Sequence, residues 1–74
     1  MCARISIQFK KDAGKAPFWP CYVFQADKAM AIYVCILEHT DHLGLAADVV
    51  EWTDRANIGE TYDCDELSAL IIDD

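Results

Sequence analysis

The sequence predicts a single α+β domain, with elements in the order β-β-α-β-α and a mostly antiparallel sheet that carries its helices on one face. Three observations lead to this class. Ile5, Ile7 and Phe9 alternate with polar residues, which is the two-residue period of a strand with one solvated face. Apolar residues recur at helical spacing between positions 27 and 43. An acidic capping signature precedes an apolar stripe near the C terminus, which indicates a further helix.

The first two strands are predicted at residues 3–10 and 21–25, and the second of these is rich in β-forming residues. One glycine and two prolines within residues 11–20 exclude regular structure and predict a loop between the strands. The loop carries Phe18 and Trp19. These two aromatic residues are interpreted either as recognition anchors or as a cover over the core.

A helix is predicted from Asp27 to Leu43. Asp27 is a suitable N-cap, and Gly44 is a suitable left-handed residue after the C terminus of the helix. The apolar face would consist of Ala29, Ile32, Tyr33, Ile36, Leu37, Thr40 and Leu43. Because the middle of this segment also contains strong β formers, a strand over residues 30–38 is the alternative.

A third strand is predicted over residues 46–53, which would make the preceding helix a right-handed crossover connection. Residues 54–62 are predicted as a polar connector. Asp63 and Glu66 then have the spacing of a capping box, so a short helix is expected to end the chain. Its apolar stripe would consist of Leu67, Leu70 and Ile71.

The length and composition predict one domain over residues 1–74. The apolar fraction of 54% exceeds the usual value of about 45–50%, so a core can form and intrinsic disorder is disfavoured. The start of the chain has no signal-peptide pattern, and the longest apolar run, Ala29 to Leu37, is too short to span a membrane. A cytoplasmic protein with reduced thiols is therefore expected. The four cysteines are Cys2, Cys21, Cys35 and Cys64.

The charge is distributed unevenly along the chain, whose formal net charge is −7. Residues 1–37 carry five basic and two acidic side chains, whereas residues 38–74 carry one basic and eleven acidic side chains. An acidic half repels nucleic acid and anionic membranes, and it attracts basic protein surfaces. The alternative interpretation is that the acids only keep the protein soluble, because a net charge of about 2–8 is common in small domains.

The charge pattern predicts a protein partner with a basic surface, and proteins that handle nucleic acid are the richest in such surfaces. Neither direct nucleic-acid binding nor membrane binding is expected. The residues expected to contact the partner are six acids and two aromatic anchors. They are Glu51, Asp54, Glu60, Asp63, Asp65 and Glu66, with Trp52 and Tyr62 as the anchors.

Residues that could carry out chemistry form no persuasive set. His39 and His42 are three positions apart, but they supply two ligands where a zinc site needs three or four. Cys64 would begin the predicted terminal helix, yet its acidic neighbours disfavour the thiolate that a nucleophile needs. No catalytic residue, cofactor or bound metal is therefore predicted. A metal- or thiol-dependent module that uses the two histidines and a cysteine is the least favoured alternative.

In size and acidity, the chain resembles the small inhibitors that phages and mobile elements use against host nucleic-acid enzymes, including anti-CRISPR and anti-restriction proteins. The resemblance covers no motif. It implies a non-enzymatic nucleic-acid mimic that docks on a basic surface and blocks it. The high apolar fraction suggests the main alternative, a structural or regulatory homodimer. Its interface would contain Ile32, Ile36, Trp52 and part of the terminal helix.

Overall fold

Two helices cover one face of a four-stranded antiparallel sheet in the part of the chain that the computed structural model describes, residues 3–12 and 21–73. In chain order, the elements are β1 (Ala3–Phe9), a 3-10 turn (Lys10–Asp12), β2 (Tyr22–Gln25), α1 (Ala29–Thr40), α2 (Leu43–Arg55), β3 (Thr61–Asp63) and β4 (Leu67–Asp73). The α+β class and the antiparallel sheet with its helices on one face are confirmed. The element order departs from the predicted one after α1.

The two ends of the described chain form the central pair of the sheet, whose strand order is β2-β1-β4-β3. β1 and β4 pair along their whole length, from Ala3 opposite Asp73 to Phe9 opposite Leu67. Every second residue of each strand is buried against the helices. These residues are Ile5, Ile7 and Phe9 in β1, and Leu67, Ala69 and Ile71 in β4. The predicted strand over residues 3–10 is therefore confirmed, and so is the second strand.

The helix predicted from Asp27 to Leu43 is present as α1, but both of its predicted caps are wrong. The N-cap residue is Lys28, which makes no side-chain capping bond. Asp41 is the left-handed C-cap residue, with φ of 55°, and its backbone N–H donates to the carbonyl of Leu37 at 2.8 Å. The strand alternative for residues 30–38 is wrong, because three residues at helical spacing bury their side chains on the sheet. They are Ile32, Cys35 and Ile36.

The third predicted strand, over residues 46–53, is wrong because these residues lie within α2. Leu45, Ala46, Val49 and Thr53 recur at helical spacing and are the buried residues of this helix. The hydroxyl of Thr53 donates to the carbonyl of Val49 at 2.7 Å, so burial leaves no unsatisfied polar group on this side chain. His42 caps the helix, since its Nδ1 accepts a hydrogen bond from the backbone N–H of Leu45 at 2.9 Å.

The predicted terminal helix is also wrong, and residues Leu67–Asp73 form strand β4 instead. Leu67 and Ile71 are four positions apart, so they lie on one face of a helix and also on one face of a strand. The apolar pattern of this segment is therefore compatible with either structure. Pairing with β1 runs along the whole of this segment on one side, and β3 pairs with residues 68–70 on the other, so most of its backbone groups are satisfied. Part of the predicted connector, Thr61–Asp63, forms β3 and supplies the second of these pairings.

The predicted loop over residues 11–20 falls mainly outside the described residues. Residues 10–12 form the 3-10 turn. Phe18 and Trp19, which were interpreted as recognition anchors or a core cover, lie in the part of the chain that the structure leaves undescribed.

We expect Asp41→Gly to raise the free energy of unfolding by about 0.5–1 kcal/mol, because a left-handed conformation costs roughly this much in a residue with a Cβ atom. The substitution also removes a negative charge from the C-terminal end of α1, where the helix dipole disfavours it. Urea titration and thermal melting measure the effect. Asp41→Asn is the control, since it removes the charge but keeps the Cβ atom. An unchanged or lower melting temperature for Asp41→Gly would contradict the expectation.

Candidate functional site

All six acids predicted to contact a partner are exposed. Asp63 accepts from the ammonium group of Lys10 at 2.8 Å, and Glu51 lies 3.9 Å from the guanidinium group of Arg55. Exposed pairs of this kind contribute about 0–1 kcal/mol, so both carboxylates can exchange their cation for one on a partner. Among the described residues, the other four acids form no ion pair. They are Asp54, Glu60, Asp65 and Glu66.

The two predicted aromatic anchors contact each other. Trp52 on α2 and Tyr62 on β3 are half-buried, with ring centroids 5.5 Å apart and planes tilted by 53°. Burial raises the pKa of Tyr62, and negative charge on Cys64 and Asp48 raises it further. Asp48 was not among the predicted contacts, although it lies one helical turn before Trp52 and is exposed. The spacing of Asp48 and Trp52 would have indicated it if this segment had been recognised as a helix.

Helix geometry divides the predicted set into two surfaces. Successive residues in an α-helix are rotated by about 100°, so Trp52 and Asp54 point in nearly opposite directions from α2. We call the first surface the hairpin surface. It contains Asp48 and Trp52 on α2 together with Tyr62, Asp65 and Glu66 on the β3–β4 hairpin, whereas Asp63, the strand neighbour of Tyr62, points to the opposite face of the sheet. The second surface contains Glu51 and Asp54 on the other side of α2, and we call it the α2 rim.

Glu60 belongs to neither surface and has a local structural role. Its carboxylate accepts a hydrogen bond from the backbone N–H of Asn57 at 3.0 Å, and its own N–H donates to the carbonyl of Asn57. Its carbonyl accepts from the backbone N–H of Ile71 at 3.0 Å, which aligns β3 with β4. At about 3.3 Å per residue, Glu60 stands roughly 10 Å from Asp63 at the opposite end of β3.

The two histidines are engaged in separate local bonds. The ring of His39 stacks on Phe9 with centroids 4.3 Å apart, and its Nδ1 donates to the carbonyl of Cys35 at 2.8 Å. His42 uses its Nδ1 to cap α2. Within residues 3–12 and 21–73, no group of three or more His, Cys, Asp or Glu side chains is arranged to hold a metal ion. The described part of the chain therefore does not bring the two histidines together as ligands.

Cys35 is the described thiol closest to a histidine, but its environment favours the neutral thiol. Its Sγ lies 3.9 Å from Nδ1 of His39. Burial raises the pKa of Cys35, and the nearby carboxylate of Glu38 raises it further. A nucleophilic cysteine needs the opposite shift. Cys21, Cys35 and Cys64 are all free thiols.

A mixed-charge depression of about 420 Å³ lies where the β3–β4 hairpin approaches the end of β1. Lys10, Lys11 and His39 line one part of it, and Asp65 and Glu66 line another. The ammonium group of Lys11 donates to the carbonyl of His39. Because both signs of charge face this depression, it favours neither an anion nor a cation.

The interface suggested for a homodimer cannot form as predicted. Ile32 and Ile36 have no exposed surface, because both side chains pack in the core. The terminal helix that was to complete the interface is the strand β4. The exposed apolar residues on the helices are different ones, and they include Met30, Val34 and Leu43.

We expect stability to fall as the pH rises above about 9. The pKa values of Cys35 and Tyr62 lie above their usual 9.0 and 10.0 in the folded protein, mainly because burial disfavours the anions. The unfolded chain therefore loses these protons first. The stabilisation is complete below the unfolded pKa values and is lost as the pH rises through the folded ones. Lys10 acts in the same direction, because its hydrogen bond to Asp63 raises its pKa above 10.5.

Urea unfolding at a series of pH values between about 7 and 10.5 measures this effect. The variants Cys35→Ala and Tyr62→Phe each remove one titrating group, so each should flatten the decline even if it lowers stability at neutral pH. A decline of the same steepness in both variants would show that other groups cause it.

Neither helix is long enough to cross a membrane: α1 has 12 residues and α2 has 13, where a span needs about 20. Among the described residues, no helix combines the required length with sufficient apolar character.

Comparison of the chain with protein-family models, with curated proteins and with solved structures finds no match.

Proposed function

We propose that this protein is a non-enzymatic inhibitor that docks on the basic, nucleic-acid-binding surface of a protein partner and blocks it. The observation that carries the proposal is the hairpin surface, where exposed carboxylates flank a half-buried aromatic pair. An inhibitor of this type acts as a nucleic-acid mimic, the mode of action implied by the resemblance in size and acidity to small anti-CRISPR and anti-restriction proteins of phages. The proposal includes a cytoplasmic location, which suits the exposed free thiol of Cys21.

The carboxylates supply recognition and speed of association. Lysine and arginine side chains that bind phosphate also form strong charge-assisted hydrogen bonds with carboxylates. Asp65 and Glu66 are exposed at the tip of the hairpin and make no ion pair with the described residues, so both are available for such bonds. Complementary charge of this kind also accelerates encounter, and its effect weakens as salt is added.

The aromatic pair supplies an apolar contact with the partner, which the carboxylates cannot make. Tryptophan and tyrosine are enriched among the residues that dominate binding energy at protein interfaces. Mutual packing of Trp52 and Tyr62 restricts both rings before binding, which lowers the entropy lost when a partner immobilises them. The carboxylate of Asp48 lies close enough to Tyr62 to raise its pKa, so negative charge stands beside the anchors.

Affinity capture with the tagged protein tests the proposal. Proteins retained from a lysate are eluted with a salt gradient and, in a parallel experiment, with duplex DNA or RNA. The proposal predicts a basic nucleic-acid-binding protein that leaves at moderate salt and is displaced by nucleic acid, because both ligands occupy one surface.

A partner that nucleic acid does not displace would refute the mimic. Recovery of only the protein itself would favour the homodimer, which sedimentation analysis at several concentrations would then measure.

A further inference from the structure

An apolar groove separates the first half of α1 from the second half of α2, and we call it the interhelical groove. It is open to solvent and has a volume of about 550 Å³. The small side chains of Ala29 and Ala47 leave it open, and the half-buried side chains of Tyr33 and Val50 form its floor. A second depression of about 260 Å³ continues it beside Met30, whose side chain is 74% exposed. The groove therefore offers room for more than one apolar side chain.

Three carboxylates stand around this apolar floor. Asp27 precedes α1, and Glu51 and Asp54 are the two acids of the α2 rim. Arg55 lies 3.9 Å from Glu51 and offsets part of its charge, but it does not line the groove. An apolar floor with a negative rim matches an apolar side chain that has positive charges beside it.

We infer that the interhelical groove binds a basic amphipathic helix of the partner protein. An apolar side chain of that helix occupies the floor, and lysine or arginine side chains one turn away face the rim. This assignment rests on the proposed function, since it names the kind of segment that the acidic protein recognises. It adds Asp27, Tyr33 and Val50 to the contact residues, and it gives Glu51 and Asp54 a role apart from the hairpin surface.

The backbone hydrogen bonds of the two helices that form the groove explain why the bound segment is a helix. Both walls are helices, and away from the first turn of α1 and the last turn of α2 their N–H and C=O groups are bonded within the helix. The groove therefore offers no continuous row of backbone partners to an extended strand, which would leave most of its own groups unsatisfied. A helix satisfies its own backbone and presents side chains three and four residues apart to a groove of this kind.

Charge also distinguishes the partner from a second copy of this chain. Each copy carries a net charge of −7, and the helices that would approach each other bear the acids of the rim. Two copies would therefore repel at this site, whereas a basic helix is attracted.

Isotope-edited NMR titration of the full chain tests the inference with two synthetic peptides of about four helical turns. The first peptide has leucine along one face and lysine or arginine elsewhere. The second has the same charges, with serine in place of leucine. We expect the leucine peptide to bind at least about tenfold more tightly and to shift the amide signals of Ala29, Tyr33 and Val50.

A substitution that fills the groove tests the inference, and the same substitution outside the groove is its matched control. Ala47→Leu places a larger side chain in the groove, whereas Ala31→Leu makes the same change at an exposed position of α1 outside it. Ala47→Leu should weaken binding of the leucine peptide about tenfold, and Ala31→Leu should leave it unchanged. The double variant Asp27→Asn/Asp54→Asn should reduce the dependence of the affinity on salt.

Two results would overturn the inference. One is equal affinity for the two peptides with shifts confined to the hairpin, which would leave the acidic docking function intact but remove the groove from it. The other is binding of the leucine peptide that Ala47→Leu does not weaken. A failure of the proposed function itself would appear separately, as a captured partner that nucleic acid does not displace.

Discussion

Reversal of Asp65 and Glu66 to lysine should weaken binding to the captured partner by about 100-fold, which corresponds to roughly 2.7 kcal/mol. Each substitution removes a charge-assisted hydrogen bond and places a cation against the basic surface of the partner, and close charge pairs at interfaces are worth about 1.5 kcal/mol or more. Both residues are exposed at the tip of the hairpin, so the fold should tolerate the change. Titration calorimetry at two salt concentrations measures the loss.

The matched control changes the net charge by the same amount at two other places. Glu38 is exposed on α1 and Asp73 is exposed in β4, and neither belongs to the hairpin surface or to the α2 rim. We expect Glu38→Lys/Asp73→Lys to alter the affinity less than about threefold. Equal losses in the two double variants would mean that net charge alone governs binding, and the hairpin would then not be the docking surface.

Phe9→Ala should unfold most of the protein at room temperature. Phe9 is completely buried at the end of β1, where its ring stacks on His39 and meets the edge of Tyr22 at a centroid distance of 5.6 Å. Removal of a buried phenylalanine side chain costs about 3–5 kcal/mol. A domain of this size has a total stability of roughly 3–5 kcal/mol, so the loss is comparable to the whole. Near-ultraviolet circular dichroism and urea titration measure it.

Two further variants separate the loss of this side chain from a general sensitivity to substitution. Phe9→Leu keeps most of the buried volume and should remain folded with a lower urea midpoint. Ile58→Ala removes a similar apolar group from a residue that is 51% exposed, so it should change the stability by less than about 0.5 kcal/mol. An unchanged midpoint for Phe9→Ala would contradict the central position of this ring in the core.

The elements that were predicted correctly are those whose local pattern has one dominant period. The alternation of Ile5, Ile7 and Phe9 fits a strand and does not fit a helix. The helix over residues 29–40 was predicted from apolar residues at helical spacing and from a helix end at Gly44. The cap was wrong, but the segment is helical because burial at helical spacing outweighs the β propensity of its branched residues. In these segments, the residues that pack on the core also define the secondary structure.

The second half of the chain was predicted incorrectly because its local signals favour structures that the tertiary contacts override. Val49, Val50 and Trp52 have high β propensity, yet the segment is helical because Leu45, Val49 and Thr53 then reach the core together. Leu67 begins a segment that suits a short helix as well as a strand. Strand pairing with β1 decides between the two, and that pairing joins residues 58 to 70 positions apart.

The candidate site was likewise predicted in part from the sequence, while the rest of it depends on tertiary contacts. The uneven charge along the chain led to the prediction of the six acids, and all six are exposed. Trp52 and Tyr62 were predicted as anchors, and their rings are in contact. The division into a hairpin surface and an α2 rim could not be predicted, because it depends on α2 being a helix. Asp48 was missed for the same reason, and the interhelical groove requires the packing of α1 against α2.

The sequence by itself determined the α+β class, the first three elements and the excess of acidic residues in the second half. These follow from composition and from patterns a few residues long, which are properties of a local segment. Tertiary structure alone decided that residues 43–55 are helical and that residues 67–73 are the central partner of β1. The physical reason is that both assignments depend on burial and backbone pairing between distant segments, and these contacts are worth more than local propensity.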